Sequence, residues 1–433
     1  MPIKKLLILF LALSPLCSFA GVLRCGNGTD IRSLQSGIHQ VPAGDTLLIA
    51  PGTYKQGNLF IRKSLTLLAE GKVVLDGEMK DEIITVFSPH VRIKGFTIIN
   101  SGNLSTKDLA GIKVLATRDV FIENNTLYKC TFGIYLSNTR NCYIRHNKIS
   151  GDALADQSIG NGIHVWKADS AIIENNESTG QRDGIYFEFV TNSQIRNNQS
   201  HHNFRYGLHF MFSHSNTYTS NEFRENGAGV AVMYSHHVKM HNNVFDHNWG
   251  PSSYGILLKD ITDSEVLDNR FENNSAGIYM EGSNRIKMER NDFLNNGWAL
   301  RIQASCTDNV VSHNNFSGNT FDVSTNGETQ LNSFNHNYWD KYEGYDLNKD
   351  GKGDIPYRPV SLFSMIVEQL PPGLLLLRSF MVYLLDKAEK IIPSLTPTNL
   401  MDEQPAMKFI PHPSGVSAFS TLDRIKNNLT INT

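Results

Sequence analysis

Short runs of alternating apolar and polar residues recur through the middle of the chain, and most of them open with a glycine. Such alternation is typical of a β-strand with one buried face. The runs begin at Gly111, Gly133, Gly162, Gly184, Gly207, Gly229, Gly255 and Gly277, with Ala299 in the same role. Successive starts are 22, 29, 22, 23, 22, 26, 22 and 22 residues apart. The regular step indicates one structural unit repeated many times.

An asparagine follows each run and repeats with the same step. These asparagines are Asn125, Asn147, Asn176, Asn198, Asn221, Asn243, Asn269, Asn291, Asn314 and Asn337. The longer steps occur at the same places in both series, so glycine and asparagine belong to one unit of about 22 residues. A unit of this length, with short β-type runs and asparagine at a fixed turn, is typical of one coil of a parallel β-helix. Leucine-rich repeats require leucine at their own spacing, and propeller blades have about twice this period.

The repeat predicts an all-β domain over residues 21–340, a right-handed parallel β-helix of about 13 coils. Residues one and three places after each glycine are apolar in every coil, so we expect them to fill the bore. Ile185, Leu208 and Val230 should then be buried neighbours on successive coils. Residues two and four places after the glycine should point outward.

The outward positions of two consecutive coils carry histidine and methionine. Met211 and Met233 should stack on neighbouring rungs about 5 Å apart, with His209 on the same face. His214 should lie over His236 near the following turn. Thioether and imidazole ligands suit Cu(I) better than hard cations, so these residues predict a copper site. A solvated β-face also tolerates histidine without any ligand.

The same outward face carries Tyr135, Trp166, Tyr186 and Tyr279, which could stack on sugar rings. Glu188 could then act as a general acid or base. However, its neighbours in the fourth-position column are Trp166 and Met211, and a second carboxylate is missing there. The pattern therefore favours a protein that is not an enzyme, with a polysaccharide-binding or polysaccharide-modifying protein as the alternative.

Charge and cysteine content place the chain in an exported class. Lys and Arg number 40 against 42 Asp and Glu, which gives no electrostatic reason to expect a nucleic-acid partner. Residues 1–20 have two lysines, a short apolar run and a small-residue end, as signal peptides do. The remaining cysteines, Cys25, Cys130, Cys142 and Cys306, match no zinc module, and Cys130 and Cys142 either pair or stay free.

A polar segment follows the repeat over residues 341–360. Asp346, Asn348 and Asp350 occupy alternate positions before Gly351, as at the start of a calcium loop. The glutamate expected at position 12 is replaced by tyrosine, and Asp354 could substitute for it as a ligand. The segment predicts a Ca²⁺ site or, alternatively, a polar turn that closes the rod.

Residues 361–393 are apolar and helical in composition, and residues 394–433 are expected to form a mobile tail. The helical segment is too short between charges to span a bilayer alone. It is expected to lie on the membrane or to dock on a permease through its apolar face, or else to cap the open end of the β-helix. The expected docking side chains are Leu374, Leu377, Met381, Leu384 and Leu385.

The stretches "YGLHFMFSHSN" and "GVAVMYSHHV" in consecutive coils, followed by "YWDKYEGYDLNKDGKGDIPYRP" and the apolar helix, resemble the NosD family. NosD proteins are periplasmic maturation proteins of nitrous oxide reductase, and the resemblance covers nearly the whole mature chain. It implies work with an ABC transporter permease and its ATPase, a copper-delivering lipoprotein, and apo nitrous oxide reductase during assembly of the copper–sulfur centre. It also implies a periplasmic location at the inner membrane. A metal-free scaffold is the remaining alternative.

Overall fold

The structure of the chain, a computed structural model, describes residues 21–104, 106–151, 160–327, 331–392, 396 and 400–412. The predicted signal peptide lies outside these residues. All strand pairings between the elements are parallel, and the strands form three sheets of 14, 13 and 12 strands that run the length of the rod. The prediction of an all-β parallel β-helix of about 13 coils is confirmed.

Each coil contributes one strand to each of the three sheets in turn. Sheet one contains Val22–Cys25, Thr46–Ile49, Leu65–Ala69, Val91–Lys94, Phe121–Glu123, Tyr143–Arg145, Ile172–Glu174, Gln194–Arg196, Thr217–Thr219, Lys239–His241, Thr262–Leu267, Asn284–Glu289, Thr307–Ser312 and Leu331–Asn335. Sheet two contains Gly52–Tyr54, Val73–Asp76, Thr97–Ile99, Thr126–Tyr128, Lys148–Ser150, Glu177–Thr179, Gln199–His201, Glu222–Arg224, Val244–Asp246, Arg270–Glu272, Asp292–Leu294, Asn315–Ser317 and Tyr338–Trp339. Sheet three contains Leu59–Ile61, Ile84–Val86, Ala110–Leu115, Phe132–Arg140, Ile163–Asp169, Ile185–Thr191, Tyr206–Met211, Ala228–Met233, Ile256–Lys259, Ala276–Glu281, Trp298–Ile302 and Phe321–Ser324.

The glycine-opened runs form sheet three in the predicted register. Ile185 pairs with Leu208 and Leu208 with Val230, and all three side chains are buried. Glycine stands at the corner before these strands because the next coil approaches closely there. A Cβ atom on Gly229 would lie 2.5 Å from the carbonyl oxygen of Gly255, a distance that a real side chain cannot tolerate.

The repeated asparagines form a buried hydrogen-bonded ladder along the turn between sheets one and two. At Asn198, Oδ1 accepts hydrogen bonds from the backbone N of Asn176 at 2.9 Å and from Asn176 Nδ2 at 3.0 Å. Its own Nδ2 donates to the carbonyl oxygen of Ile173 at 2.9 Å. The same contacts continue from Asn125 to Asn337. Each asparagine therefore satisfies buried backbone groups that the turn leaves unpaired.

The two ends of the bore are closed by different elements. At the N-terminal end the α-helix Leu34–Gln40 buries Leu34 and Ile38 against the first coils. At the other end Val360 and Leu400 join the core of the last coil, and the buried Asp402 carboxylate accepts the hydrogen bonds that end the asparagine ladder. Residues 400–412 thus pack against the last coils, which differs from the mobile tail expected from residue 394. Residues 413–433 lie outside the described residues.

The C-terminal helices lie on the outer surface of sheet three. The α-helix Leu362–Gln369, the 3₁₀-helix Pro371–Leu376 and the α-helix Phe380–Ile391 follow one another. Phe363 and Val367 pack on Phe321, outside the bore. Met365 of the first helix also packs against the core of the bore, so capping of the bore by this helix stays a prediction. No helix among the described residues is long and apolar enough to cross a membrane.

The four cysteines of the described chain are all buried free thiols. Cys130 and Cys142 therefore stay unpaired, which is one of the two outcomes left open by the sequence. Burial raises the pKa of the Cys130 thiol to about 12 and also raises that of Cys25 and Cys142. Since the thiolate is the form that binds soft metals, these cysteines are poor candidates for copper ligands.

Candidate functional site

Met211 and Met233 are directly paired neighbours on adjacent strands of sheet three. Both side chains are partly exposed, so the predicted outward methionine pair is confirmed in its placement. Paired residues on neighbouring rungs lie about 4.8 Å apart, which lets two thioether sulfurs approach one ion. The interior positions beside them are filled by Phe210 and Val232, so core packing does not require methionine here.

Glu188 and Tyr186 lie against the methionine pair on the side of the preceding coil. Glu188 is the register partner of Met211. The Tyr186 hydroxyl oxygen lies 3.2 Å from Glu188 Oε2 and 3.7 Å from Met211 Sδ. Burial raises the pKa of Tyr186, with the negative charge of Glu188 as the next cause, so the hydroxyl stays protonated. The sequence pattern placed Glu188 beside Met211 in the same column, and the contact of Tyr186 with both residues emerged from the structure.

His209 does not lie on an exposed surface, and the expectation that it would is wrong. Its side chain points out of the bore, yet only 4% of the residue is exposed. The rings of Tyr186 and Tyr206 pack against the imidazole, with centroid distances of 5.0 and 4.7 Å. Its Nδ1 lies 3.5 Å from Oδ2 of the buried Asp183. A role for His209 as a metal ligand therefore stays a prediction, and one that requires movement of these rings.

Asp183 belongs to a polar cluster that the sequence did not reveal. Asp183 stands one place before Gly184, whereas the search for a second carboxylate covered the positions after the glycine. Arg182 and His164 lie near it, because both Arg182 and Asp183 influence the pKa of His164, which burial lowers to about 3. Since Asp183 and His209 are both buried, neither side chain is presented to a sugar chain at the surface.

His214 and His236 stack as predicted, with ring centroids 3.9 Å apart and planes 10° from parallel. His214 Nδ1 accepts a hydrogen bond from the backbone N of His236 at 3.3 Å, which places the proton of the neutral ring on Nε2. His237, absent from the predicted set, places its Nδ1 2.7 Å from Nδ1 of His236. Burial lowers the pKa of His214, and the neighbouring His236 and His237 lower it further, which favours the neutral imidazole that binds metals.

An aromatic corner separates the methionine pair from the histidine pair. Phe189, Phe212 and Tyr234 stack on three successive coils, with centroid distances of 5.3 and 5.0 Å, and each is more than a third exposed. All three have a left-handed backbone, with φ between 49° and 55°, which costs about 1 kcal/mol per residue for a bulky side chain. The methionines and histidines therefore lie on adjacent faces of one corner with an apolar rim between them.

No group of three His, Cys, Asp or Glu side chains in the described parts of the chain converges closely enough to hold a metal ion. The predicted copper site differs from such a group, because its donors include methionine sulfur. Thioethers select soft ions such as Cu(I).

The acidic loop after the repeat folds on itself. Asp346 accepts hydrogen bonds from the backbone N of Asp350 at 3.2 Å and of Gly351 at 2.9 Å, and Asn348 Oδ1 accepts another from Asp350 N at 3.1 Å. Asp354 accepts one from Leu347 N at 2.7 Å. The loop thus gathers the four predicted residues, and the identity of any cation there stays a prediction.

The five predicted docking side chains divide into two groups. Leu374 and Leu385 pack against the cluster of Phe321, Phe363 and Val367. Leu377, Met381 and Leu384 are exposed, together with four apolar side chains that were not predicted, Leu375, Leu376, Phe380 and Tyr383. These exposed side chains form the apolar patch of the 3₁₀-helix and the last α-helix, and its docking role stays a prediction.

Comparison with known proteins agrees with this geometry. The family model described as "Periplasmic copper-binding protein (NosD)" matches residues 70–157 and 146–344. A probable ABC transporter binding protein NosD of Pseudomonas aeruginosa is 30% identical over 379 residues, 83% of this chain and 87% of that protein. The protein of the same description from Stutzerimonas stutzeri is 28% identical over 387 residues, 85% of this chain and 88% of its own.

Solved structures share the coil architecture only. The family 28 exopolygalacturonase of Yersinia enterocolitica superposes with a TM-score of 0.50 at 12% identity, covering 69% of this chain and 74% of that one. Identity this low shows a common fold and nothing about activity. The family model and the relatives agree over most of the repeat, and the chain belongs to the NosD family of periplasmic copper-binding proteins.

Proposed function

We propose that this protein carries Cu(I) on the Met211–Met233 pair and delivers it to apo nitrous oxide reductase during assembly of the copper–sulfur centre. The observation that carries the proposal is the pair of partly exposed thioethers in direct register on adjacent rungs. Copper in the periplasm meets an oxidising environment, where methionine stays available while free cysteine is lost to disulfides. The buried thiols of this chain leave methionine as its accessible soft donor.

The stacked His214 and His236 supply imidazole donors on the adjacent face of the same two coils. Copper that leaves the thioethers would therefore find borderline ligands within the same corner. The exposed rim of Phe189, Phe212 and Tyr234 gives a protein that donates or receives copper an apolar surface to contact. In this proposal the copper donor is a copper-delivering lipoprotein and the copper acceptor is the apo reductase.

The exposed apolar patch on the C-terminal helices would bind the permease of an ABC transporter or the surface of the inner membrane. Two relatives bear names that associate them with an ABC transporter, which supports this part of the proposal. Leu375 is 89% exposed and Phe380 73%, values that are uncommon for large apolar side chains without a partner. The chain would thus stay at the membrane while its corner handles copper.

The decisive experiment is a Cu(I) titration of the mature protein under anaerobic, reducing conditions against a chromophoric chelator. Replacing both Met211 and Met233 by leucine should keep the fold, because the two side chains are nearly equal in volume. Loss of a ligand should weaken Cu(I) binding by at least about tenfold, judged from the 10–100-fold effect of removing supporting residues. The matched control replaces Met240 and Met280, which are buried in the bore, by leucine and should bind copper as the parent protein does.

Maturation of the copper–sulfur centre in cells should be reduced in the Met211→Leu, Met233→Leu variant and unchanged in the control variant. Unchanged Cu(I) affinity in the Met211→Leu, Met233→Leu protein would contradict the proposed site. If affinity then fell only when His214 and His236 were replaced by glutamine, the carrier site would lie at the histidine pair instead.

A further inference from the structure

Charged side chains flank the methionine pair in its own column of sheet three. The column runs Glu188, Met211, Met233, Lys259 and Glu281, each paired with the next in register. Lys259 Nζ lies 3.3 Å from Glu281 Oε1, so the positive charge on the Met233 side is already matched. The two thioethers therefore have a carboxylate on one side and a neutralised ammonium on the other.

Glu188 lacks a cationic partner in the part of the chain that the structure describes. Neither a lysine, an arginine nor a histidine among those residues forms an ion pair with it, although the described part of the rod contains many such pairs, for example at Glu123 and Glu174. Its carboxylate instead accepts a hydrogen bond from the hydroxyl of Tyr186 at 3.2 Å. The Tyr186 ring is itself held between the rings of His164 and His209, with centroid distances of 4.8 and 5.0 Å. Tyr186 thus keeps an unpaired carboxylate beside Met211.

Two thioethers are neutral, so a monovalent cation bound to them keeps its whole charge at a partly buried place. Such a charge is unfavourable unless a counter-charge lies close by. A carboxylate one rung away, about 5 Å, attracts a bound cation strongly enough near a protein surface to change its affinity by about tenfold or more. Glu188 is the group that stands at this distance.

We propose that Glu188 is the anionic member of the Met211–Met233 site, where its carboxylate balances the charge of a bound soft monovalent cation and Tyr186 positions that carboxylate. The inference rests on the proposed function, since it concerns the same site. A site with Glu188 would select its ion by two properties. The sulfur atoms discriminate against hard cations, and the single carboxylate matches a single positive charge.

Ag(I) provides a redox-stable probe of this site and Cu(I) the second probe, each titrated against a competing chelator with the mature protein. Glu188→Gln removes the charge at constant shape and should weaken both ions by about tenfold. Glu188→Asp keeps the charge and should stay within about threefold of the parent protein. Glu222→Gln, which removes a partly exposed carboxylate from sheet two, is the matched control and should leave affinity unchanged.

Tyr186→Phe removes only the hydroxyl that holds Glu188 and should give a smaller loss than Glu188→Gln. The loss in Glu188→Gln should shrink as ionic strength rises, because salt screens a partly exposed charge. Far-UV circular dichroism and the thermal midpoint establish that each variant is folded. If Glu188→Gln does not fold, the affinity of Glu188→Asp is compared with that of the parent protein instead.

Equal affinity of the parent and the Glu188→Gln protein, with binding lost in Met211→Leu, Met233→Leu, would overturn the role of Glu188 and leave the proposed function standing. Retained binding in the methionine variant would overturn the proposed function and this inference with it. An equal loss in Glu188→Gln and Glu188→Asp would mean that the carboxylate oxygen must reach the ion as a direct ligand does, which contradicts charge balance from one rung away.

Discussion

The asparagine ladder must end at a group that accepts hydrogen bonds without a further coil, and Asp402 fills that place. Its Oδ2 accepts hydrogen bonds from Asn337 N at 2.8 Å, Asn337 Nδ2 at 2.9 Å and Trp339 Nε1 at 3.1 Å. Its Oδ1 accepts from His336 N at 3.0 Å and Gln404 N at 3.2 Å. The residue is completely buried, so water cannot replace these contacts in the folded protein.

Asp402→Ala would leave those donors without an acceptor. Each unpaired buried donor costs about 1 to 3 kcal/mol, but water can enter the space left by the carboxylate, so we expect a total loss of about 3 to 5 kcal/mol in the free energy of unfolding of the last coils. Asp402→Asn should cost less, since one amide oxygen can still accept from Asn337, as Asn337 itself accepts from Asn314 in the preceding coil.

Hydrogen exchange measured by mass spectrometry separates the last coils from the rest of the rod, which matters because repeat arrays do not unfold as one unit. Amides of residues 331–340 should lose protection in Asp402→Ala, less in Asp402→Asn, while the first coils keep theirs. The control Asp263→Ala removes a carboxylate whose partner Arg285 lies in solvent and should change neither region. Unaltered protection of residues 331–340 in Asp402→Ala would refute the view that this carboxylate ends the ladder.

Two further predictions concern the C-terminal end. Burial raises the pKa of Asp322 to about 6, although the Lys341 ammonium opposes the shift. Between about pH 4 and 6 the folded protein therefore holds a proton that the unfolded chain releases, so the free energy of unfolding should fall as pH rises through this range. Asp322→Asn should remove that fall, a gain on the order of 2 to 3 kcal/mol at pH 8 and none at pH 4. Urea midpoints between pH 4 and 8 test this, and a difference independent of pH would contradict it. The buried Glu368 accepts two hydrogen bonds from Arg301, at 3.1 and 2.7 Å, so Glu368→Ala should cost about 2 to 4 kcal/mol of helix docking and expose residues 362–391 to protease while the coils stay resistant. Equal cleavage of parent and variant would contradict this role.

The coil register could be predicted from the sequence because the bore allows little choice. Residues one and three places after the glycine must be apolar, and the glycine itself must admit the carbonyl of the next coil, as at Gly229. The asparagine ladder imposes a second period that had to match the first. Two independent constraints with the same step leave only one register, so the stacking of Met211 on Met233 followed from the sequence.

The environment of His209 could not be predicted in the same way. Alternation along a strand states which face a side chain occupies, but it does not state what covers that face. The cover comes from Tyr206, three residues earlier on the strand, and Tyr186 on the preceding coil. Tyr186 belongs to the outward column two places after the glycine, whereas Tyr206 stands before its glycine and outside both outward columns. Only the three-dimensional packing of these rings decides the exposure of the imidazole.

The position of the helices had a sequence signal that was easy to miss. Arg301 and Gln303 break outward columns near the end of the rod, and Glu368 is an acidic residue in an otherwise apolar helix. Complementary charges on two segments far apart in sequence indicate that they meet, and here they do. The sequence of the tail gave no sign that it packs on the last coils. Asp402 looks like an ordinary surface aspartate in the sequence, and only the structure shows that it ends the asparagine ladder.

The methionine pair and the helices lie on the same sheet at a fixed separation. Gln303, which donates to Glu368 at 3.0 Å, lies in the column of Met233, and Lys259 and Glu281 are the two residues between them. Three rungs of about 4.8 Å put the helix anchor roughly 14 Å from the methionine sulfurs. Hydrogen bonds between every pair of coils make this stretch of the rod stiff, so it can transmit position without bending. If the exposed apolar side chains of the helices bind the membrane or a permease, as proposed, the methionine pair is held at a fixed distance from that attachment. A long repeat would suit the proposed copper carrier for this reason, since the coils between the helix anchor and the site set a distance and the coils at the site would supply the ligands.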